Sequence, residues 1–410
     1  MKILLLSHNF GGGFDPRGYR WRSIVSYLVE KGHKVDVLTY GFGAWSDQDG
    51  VTVYSVCRSP TKPNSVGKLT KIDKYFRFQI RVLRAFLQTI IWPDGAVRWL
   101  PSYYALGRKL LSSTDYDFMI SSSHPFTIHL VGLLLKKTYP FVPWGVDCGD
   151  PFFLLKGQSR KNRFLFDWLS FNIEKKIYKL SHSVYFTFSG CVELHRKHFP
   201  QFRDKFFEIP HLLSDENLTK LESNIQFQER FVFGYFGGWH LNIREPVKVI
   251  KFFTENKDII EATVGKFCVV FYGGGNIADL FGQILIDESI FQIHKRVDKF
   301  EALNMMRRCN ILINVGNSSD TQLPSKVVDY FAANRPIMNF ITSSTDTSSE
   351  FFAKHDLNSL DICMSGDSAM LNDSDVRILF DGCKPSSPNL DAFKIYGVSV
   401  VADNYLANIV

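Results

Sequence analysis

Long apolar runs are missing from this chain. No stretch approaches the ~18 consecutive apolar residues that a membrane-spanning helix requires, so no spanning segment is expected. The first residues carry only Ile3-Leu-Leu-Leu6 before polar Ser7-His8-Asn9, too short for the apolar core of a secretory leader, and they read as a strand. Cysteine is sparse and unpatterned: seven residues, at 57, 148, 191, 268, 309, 363 and 383, with no Cys-x-x-Cys. An odd count at irregular spacing excludes a disulfide framework and a zinc-finger site, and implies reduced thiols in a cytoplasmic protein. Excess charge is also modest. Lys and Arg number 48 against 41 acids, a net +7, and no recognised nucleic-acid module appears, so no nucleic-acid partner is expected. No internal repeat of the solenoid type is present.

What is present is an ordinary folded composition, 45% hydrophobic and 22% charged over 410 residues, long enough for two domains. Strand and helix patterns alternate throughout. Lys2 to Leu6 is a continuous aliphatic strand of the kind covered on both faces. Gly11-Gly-Gly13 follows, then helical spacing of Trp21, Ile24, Val25 and Leu28, then Gly32-His33 and the strand Val35 to Thr39. The glycines do not form G-x-G-x-x-G, so a dinucleotide fingerprint is excluded. Gly12 and Gly13 either join strand to helix or let backbone approach a ligand. Further strands are expected at 117–121, 141–146, 183–188 and 206–210, and helices at 125–137 and 192–198, a doubly wound α/β pattern.

In such sheets, ligands bind beyond the carboxyl ends of the strands. His124 and the pair Asp147 and Asp150 fall there. His124 is a candidate general base or a hydrogen-bonded structural residue. Asp147 is a second candidate catalyst, or caps a turn before Pro151. With no clustered His or third carboxylate nearby, no metal is expected. Basic residues at 68, 71, 74, 77, 81 and 84 recur every three or four positions, with aromatic and aliphatic residues between them up to Trp99. Lys71, Lys74, Arg77 and Arg81 therefore mark either an interfacial membrane patch or a solvated helix face.

Polar, unpatterned residues 213–229 suggest a linker. A second α/β run follows: strand 231–236, Gly237-Gly238, a helix from Glu245 opened by Pro246, strand 266–272, residues 291–297 and a helix near 299–308. Segment 343–389 is weakly patterned, and residues 392–410 read as a final helix. The most informative stretch is Ile311 to Ile341, read as strand, polar loop, short helix and strand. Pro324 suits the first helical position, and Asn334 suits a left-handed C-terminal cap. Lys326 and Asp329 share one face near the helix start. A cation beside free backbone N–H groups suits a phosphate, and a carboxylate one turn on suits sugar hydroxyls. Alternatively the two form a solvated ion pair.

The loop leading to Pro324-Ser325-Lys326, then Asp329 and an apolar run, resembles the donor-binding pattern of GT-B glycosyltransferases related to family 4. Gly32-His33-Lys34-Val35 matches a G-H-x-V element of that group, and Asp147 to Pro151 its D-x-x-D-P segment. The resemblance implies a GT-B fold, two Rossmann-like doubly wound domains facing across a cleft. They would be an acceptor domain over 1–215, joined by helix 393–410, and a nucleotide-sugar domain over 228–392. It implies that Gly12, Gly13, Arg244, Gln322, Ser325, Lys326 and Asp329 bind the donor, with Lys326 and Arg244 on the diphosphate and Asp329 on the ribose. Residues 295–297 would lie at the base. Where relatives often carry a sugar-contacting glutamate, this chain has Thr321. The implied activity is sugar transfer from a nucleoside-diphosphate sugar, with retention and without cofactor or metal, to a lipid-linked acceptor at the inner face of a membrane in surface polysaccharide synthesis. A sugar-nucleotide epimerase and a non-catalytic partner protein are the alternative readings. Oligomeric state is not specified by the sequence.

Overall fold

The computed structural model describes residues 1–10, 15–41, 50–57, 90–155, 163–213, 230–239, 246–273, 287–317, 321–364, 371 and 393–408. The chain divides into two units. Unit 1 comprises Met1–Leu155, Ser159–Pro210 and Val398–Val410, and unit 2 comprises Lys156–Gln158 and His211–Gly397.

Unit 1 holds seven parallel strands: β1 (Lys2–Ser7), β2 (Lys34–Thr39), β3 (Val51–Ser55), β4 (Phe118–Ser122), β5 (Trp144–Gly149), β6 (Ser183–Phe186) and β7 (Phe206–Glu208), in the order β3-β2-β1-β4-β5-β6-β7. The reversal of direction between β1 and β4 is the topological switch point. β1, β4, β5 and β6 are almost wholly buried, which is why they read as unbroken apolar runs rather than alternating ones. The covering helices are α1 (Pro16–Glu30), α2 (Leu100–Ser113), α3 (Thr127–Thr138), α4 (Arg163–Leu180) and α5 (Ser189–His198). Asp15 caps α1, its carboxylate accepting from the Gly18 N–H at 2.7 Å, with Pro16 at the first turn.

The tail helix α11 (Val398–Ala407) belongs to unit 1. The Arg20 guanidinium, buried in α1, donates to the Pro210 and Ile209 carbonyls and to the Tyr405 hydroxyl, at 2.5, 3.0 and 3.1 Å. The Tyr27 hydroxyl meets Asp403.

Unit 2 has six parallel strands: β8 (Phe231–Phe236), β9 (Phe267–Gly273), β10 (Phe291–Lys295), β11 (Ile311–Val315), β12 (Ile337–Ile341) and β13 (Ser359–Cys363). Their order is β10-β9-β8-β11-β12-β13, so its switch point lies between β8 and β11. Its helices are α6 (Pro246–Glu255), α7 (Lys257–Val264), α8 (Lys299–Arg308), α9 (Lys326–Ala333) and α10 (Thr347–Lys354). One face of the sheet is aromatic: Phe233, Phe253 and Phe267 pack together, and Phe252 meets Phe340.

Several local expectations change. β5 runs through Asp147 and Cys148 to Gly149, so Asp147 lies within the strand rather than beyond it. α9 begins at Lys326 with Ser325 as cap, which leaves Pro324 just outside the helix. Helices α2, α4 and α10 and strand β13 occupy stretches without an assigned pattern. Asn334 does take the left-handed C-cap conformation, φ 51° and ψ 56°.

Candidate functional site

In unit 2 the switch point brings together the turn after β8 and the loop before α9. Tyr235 is the penultimate residue of β8, and its hydroxyl donates to the Gly238 carbonyl at 3.1 Å, closing a turn through Gly237. Gly237 has φ +150°, a backbone state that side chains avoid, and its bare Cα faces the Lys326 chain; a Cβ there would lie 3.6 Å from the Lys326 Cδ. The Lys326 ammonium sits 4.2 Å from the centre of the Tyr235 ring and 5.5 Å from that of Tyr330. Trp239 stacks on Tyr235, with ring centres 4.0 Å apart. The ring faces attract the cation and hold it at the sheet edge, a contribution of about 0.5–2 kcal/mol. Tyr330 is itself fixed, its hydroxyl donating to the Ile313 carbonyl at 2.8 Å and accepting from the Phe236 N–H at 3.2 Å.

The loop before α9 is pinned by its backbone. The Gln322 carbonyl accepts from Asn317 Nδ2 at 3.1 Å and from the Thr347 hydroxyl at 2.7 Å, and the Leu323 carbonyl contacts His211 Nε2 at 3.0 Å. Ser325 is exposed at the cap, and no side chain caps the start of α9. The helix therefore presents N–H groups and the positive end of its dipole beside the buried Lys326, an arrangement suited to an anion.

Asp329, one turn into α9, is ion-paired with Lys299 at 3.3 Å. Burial raises its pKa above the ordinary carboxylate range, while the Lys299 charge and hydrogen bond pull it back. The Lys299 ammonium also donates to the Leu212 carbonyl at 3.3 Å, which fixes its position. A carboxylate held this way, against a lysine ammonium, has acceptor oxygens for a pair of hydroxyls. Thr321 is buried in the same loop.

The unit 1 candidates sit at that unit's own sheet edge. Asp147 is buried, and its Oδ2 accepts from Trp21 Nε1 at 2.9 Å and the Ser122 hydroxyl at 3.0 Å, with Arg17 Nη1 at 3.6 Å. Three partners on one oxygen make it a hub that ties α1, β4 and β5 together. Burial alone would lower the Arg17 pKa, but Asp147, Asp150, Tyr405 and Cys148 together more than offset it, and the net direction is upward. His124 differs: its side chain is 54% exposed, and Nε2 lies 3.7 Å from Asp150. His124 is thus reachable from solvent beside a carboxylate, the placement a general base needs, whereas Asp147 is enclosed by its three partners. Gly12, Gly13, Arg244, Lys71, Lys74, Arg77 and Arg81 lie outside the described residues. Among the described residues no group of three His, Cys, Asp or Glu side chains converges as a metal site, and no helix is long and apolar enough to cross a membrane.

Sequence reasoning missed Tyr235, Tyr330, Trp239, Lys299, Asn317 and Thr347. Lys299 stood at a helix start with Asp298 as cap, but its pairing with a residue one α/β unit later is a tertiary fact. Tyr235 read simply as part of an apolar strand.

No family model matches the chain, and no curated protein matches it. Solved structures do. A sucrose-phosphate synthase from Thermosynechococcus elongatus superposes with a TM-score of 0.63 at 11% identity, over 99% of this chain and 98% of that one. WaaG, a glycosyltransferase involved in lipopolysaccharide biosynthesis, gives 0.56 at 10% identity over 99% and 95%. A protein described as a UDP-N-acetylglucosamine 2-epimerase, from Listeria monocytogenes, gives 0.56 at 10% identity over 100% and 95%. At such identities the likeness establishes architecture. With two Rossmann-like units matched over nearly their whole length, the chain has the GT-B fold.

Proposed function

We propose that this protein is a glycosyltransferase that takes a sugar from a nucleoside-diphosphate donor bound to unit 2. The observation that carries the reading is Lys326, a buried lysine at the uncapped start of α9 and at the switch point of the sheet. The diphosphate leaving group gains negative charge as its bond to the sugar breaks. Lys326 and the α9 N–H groups supply fixed positive potential where that charge develops, without reorganisation. Asp329, paired with Lys299, accepts from the ribose hydroxyls. Gln322 and Ser325 belong to the pinned loop and shape the phosphate end.

Transfer with retention fits a mechanism in which the departing phosphate oxygen takes the proton of the acceptor hydroxyl as the new glycosidic bond forms. If configuration inverts, His124 is the base. The acceptor we favour is a lipid-linked saccharide. The support is the basic, aromatic-rich sequence from Lys68 to Trp99, together with the likeness to WaaG.

A second reading, epimerisation of the nucleotide sugar, is favoured by the likeness to the Listeria structure. Incubation with donor alone distinguishes the two, because only an epimerase alters the sugar without acceptor. The direct test is titration of UDP-, GDP-, ADP- and dTDP-sugars against the wild type and Lys326→Ala. One nucleotide class is expected to stand out, and the substitution to weaken it by roughly 1.5–3 kcal/mol, the worth of a hydrogen bond to a charged group. Equal binding by wild type and variant would remove the basis of the proposal.

A further inference from the structure

Helix α4 breaks the usual rule that a covering helix turns its apolar side inward. Phe164 is 80% exposed, Trp168 78% and Leu165 51%. At about 100° per residue, positions 164, 165, 168, 175, 176 and 179 fall within one arc of about 120°. Lys175, Lys176 and Lys179 are exposed on that arc. The acids of the helix are elsewhere: Glu174 is buried, its carboxylate accepting from the Tyr178 hydroxyl and the Phe153 N–H, and Asp167 is only partly exposed on the other side. The outward face is thus aromatic in its first half and cationic in its second.

Neighbouring elements extend the same character. Lys137, at the end of α3, lies against Lys176, closely enough that the second ammonium lowers its pKa. Phe141, in the loop just beyond α3, is 95% exposed. On the inner side of α4 the Ser170 hydroxyl accepts from Trp92 Nε1 at 3.0 Å. This bond fastens α4 to the end of the basic, aromatic-rich stretch noted in the sequence, where Ile90 is also exposed.

We propose that the outward face of α4, with Lys137 and Phe141, docks unit 1 onto an anionic lipid bilayer. Exposed Trp and Phe suit the level of the headgroups, where an amphipathic ring has one apolar and one wet side. Lysines on the same arc meet the negative surface potential of anionic lipid. A second copy of the chain fits less well: parallel packing sets lysine row against lysine row, and antiparallel packing covers each lysine row with apolar rings while no acid on this arc is there to pair it. The docking does not depend on the donor reading and is measured without nucleotide sugar.

The test is co-sedimentation of the full chain with vesicles of phosphatidylcholine alone or mixed with phosphatidylglycerol. Binding is expected to the mixed vesicles only, and to fall as salt is added. F164S/W168S should weaken the partition at least about tenfold through lost apolar burial. K175E/K176E/K179E should weaken it on the order of 100-fold. All these side chains are exposed, so the thermal transition should not move, and a shared melting curve confirms that folding is intact. Failure of the wild type to bind anionic vesicles would overturn the proposal, as would wild-type binding by both variants. Binding of single-stranded RNA that needs the lysines but not the aromatic pair would overturn it in favour of nucleic acid. A concentration-dependent dimer lost in W168S would overturn it in favour of self-association.

Discussion

Replacing Gly149 by Ala tests how the polar hub of unit 1 is built. Gly149 ends β5 with φ +66°, and a Cβ placed there would coincide with Nη2 of the Arg17 guanidinium. Two penalties follow. An alanine in the left-handed region costs about 1–2 kcal/mol. The guanidinium must also move, which strips its charge from Asp147, a carboxylate only 1% exposed. Separating a buried pair costs about 3–5 kcal/mol, and the retained bonds from Trp21 and Ser122 put this case at the lower end. The sum is about 4–5 kcal/mol. For a unit of this size each kcal/mol lowers the midpoint by about 2–4 °C, so the unit 1 transition should fall by about 8–20 °C. Differential scanning calorimetry reads it, and the same substitution in an Arg17→Met background separates the terms. There, only the backbone penalty of about 1–2 kcal/mol should remain. A drop below about 3 °C in the wild-type background, or the same drop in both backgrounds, would refute the claim that Gly149 makes room for Arg17.

The other predictions concern protons. Burial lowers the pKa of His129 to about 3 and that of His195 to about 4, from an ordinary value of 6.5, so both stay neutral in the fold while the unfolded chain takes up protons. The stability they contribute is complete above pH 6.5 and is lost as pH falls, with a slope approaching about 2.7 kcal/mol per pH unit below pH 6. The midpoint of unit 1 measured from pH 7 to 4.5 should show it, and His195→Phe, which fits the ring pocket of Phe186, Phe199 and Phe206, should roughly halve the slope. Asp329 has the opposite sign: its folded pKa is raised, so folding loses stability as pH rises above the unfolded value of 3.8. Asp329→Asn should therefore raise the unit 2 midpoint at neutral pH while weakening nucleotide-sugar binding in the titration; a rise without weakening would leave Asp329 no role toward the donor.

The architecture was legible because fully buried parallel strands announce themselves as unbroken aliphatic and aromatic runs, as in Ile3 to Leu6, Phe231 to Phe236 and Ile311 to Val315. Asn334 was equally clear, since an Asn followed by Arg-Pro at the end of an apolar helical pattern has few other conformations open to it. The polar hub was not legible. A carboxylate inside a strand is tolerable only if partners reach it, and the partners of Asp147 lie 25 and 126 residues away. Local reading therefore pushed it past the strand end. Helix α4 escaped notice for a related reason: with Phe164, Leu165 and Trp168 outside and Ile177 and Tyr178 inside, its apolar residues fill most of the circumference, and no one-sided stripe emerges. Strand β13 is at the sheet edge, where Ser359, Asp361 and exposed Cys363 weaken the apolar signal. The ring cradle under Lys326 depends on a strand and a helix about 90 residues apart, and nothing in either segment alone specifies it.

The two sheets share a topology and put different chemistry at their switch points. In unit 1 the cation at the edge, Arg17, is answered by Asp147 and Asp150, and what faces solvent is the His124 imidazole. In unit 2 the edge carries Lys326 over two tyrosine rings and the uncapped end of α9, while the nearby carboxylate Asp329 is answered by Lys299. Fixed positive potential thus belongs to unit 2, and the solvent-exposed imidazole and the proposed docking helix belong to unit 1. That separation makes the proposals independently testable. Lys326→Ala should raise the donor dissociation constant and leave vesicle binding unchanged, because α4 belongs to a different unit and a different core. F164S/W168S should release the protein from vesicles and leave donor affinity in solution unchanged, yet slow turnover when the acceptor is presented in a bilayer. If both substitutions moved both readouts together, the two sites would not be separate, and the assignment of charge to one unit and docking to the other would fail.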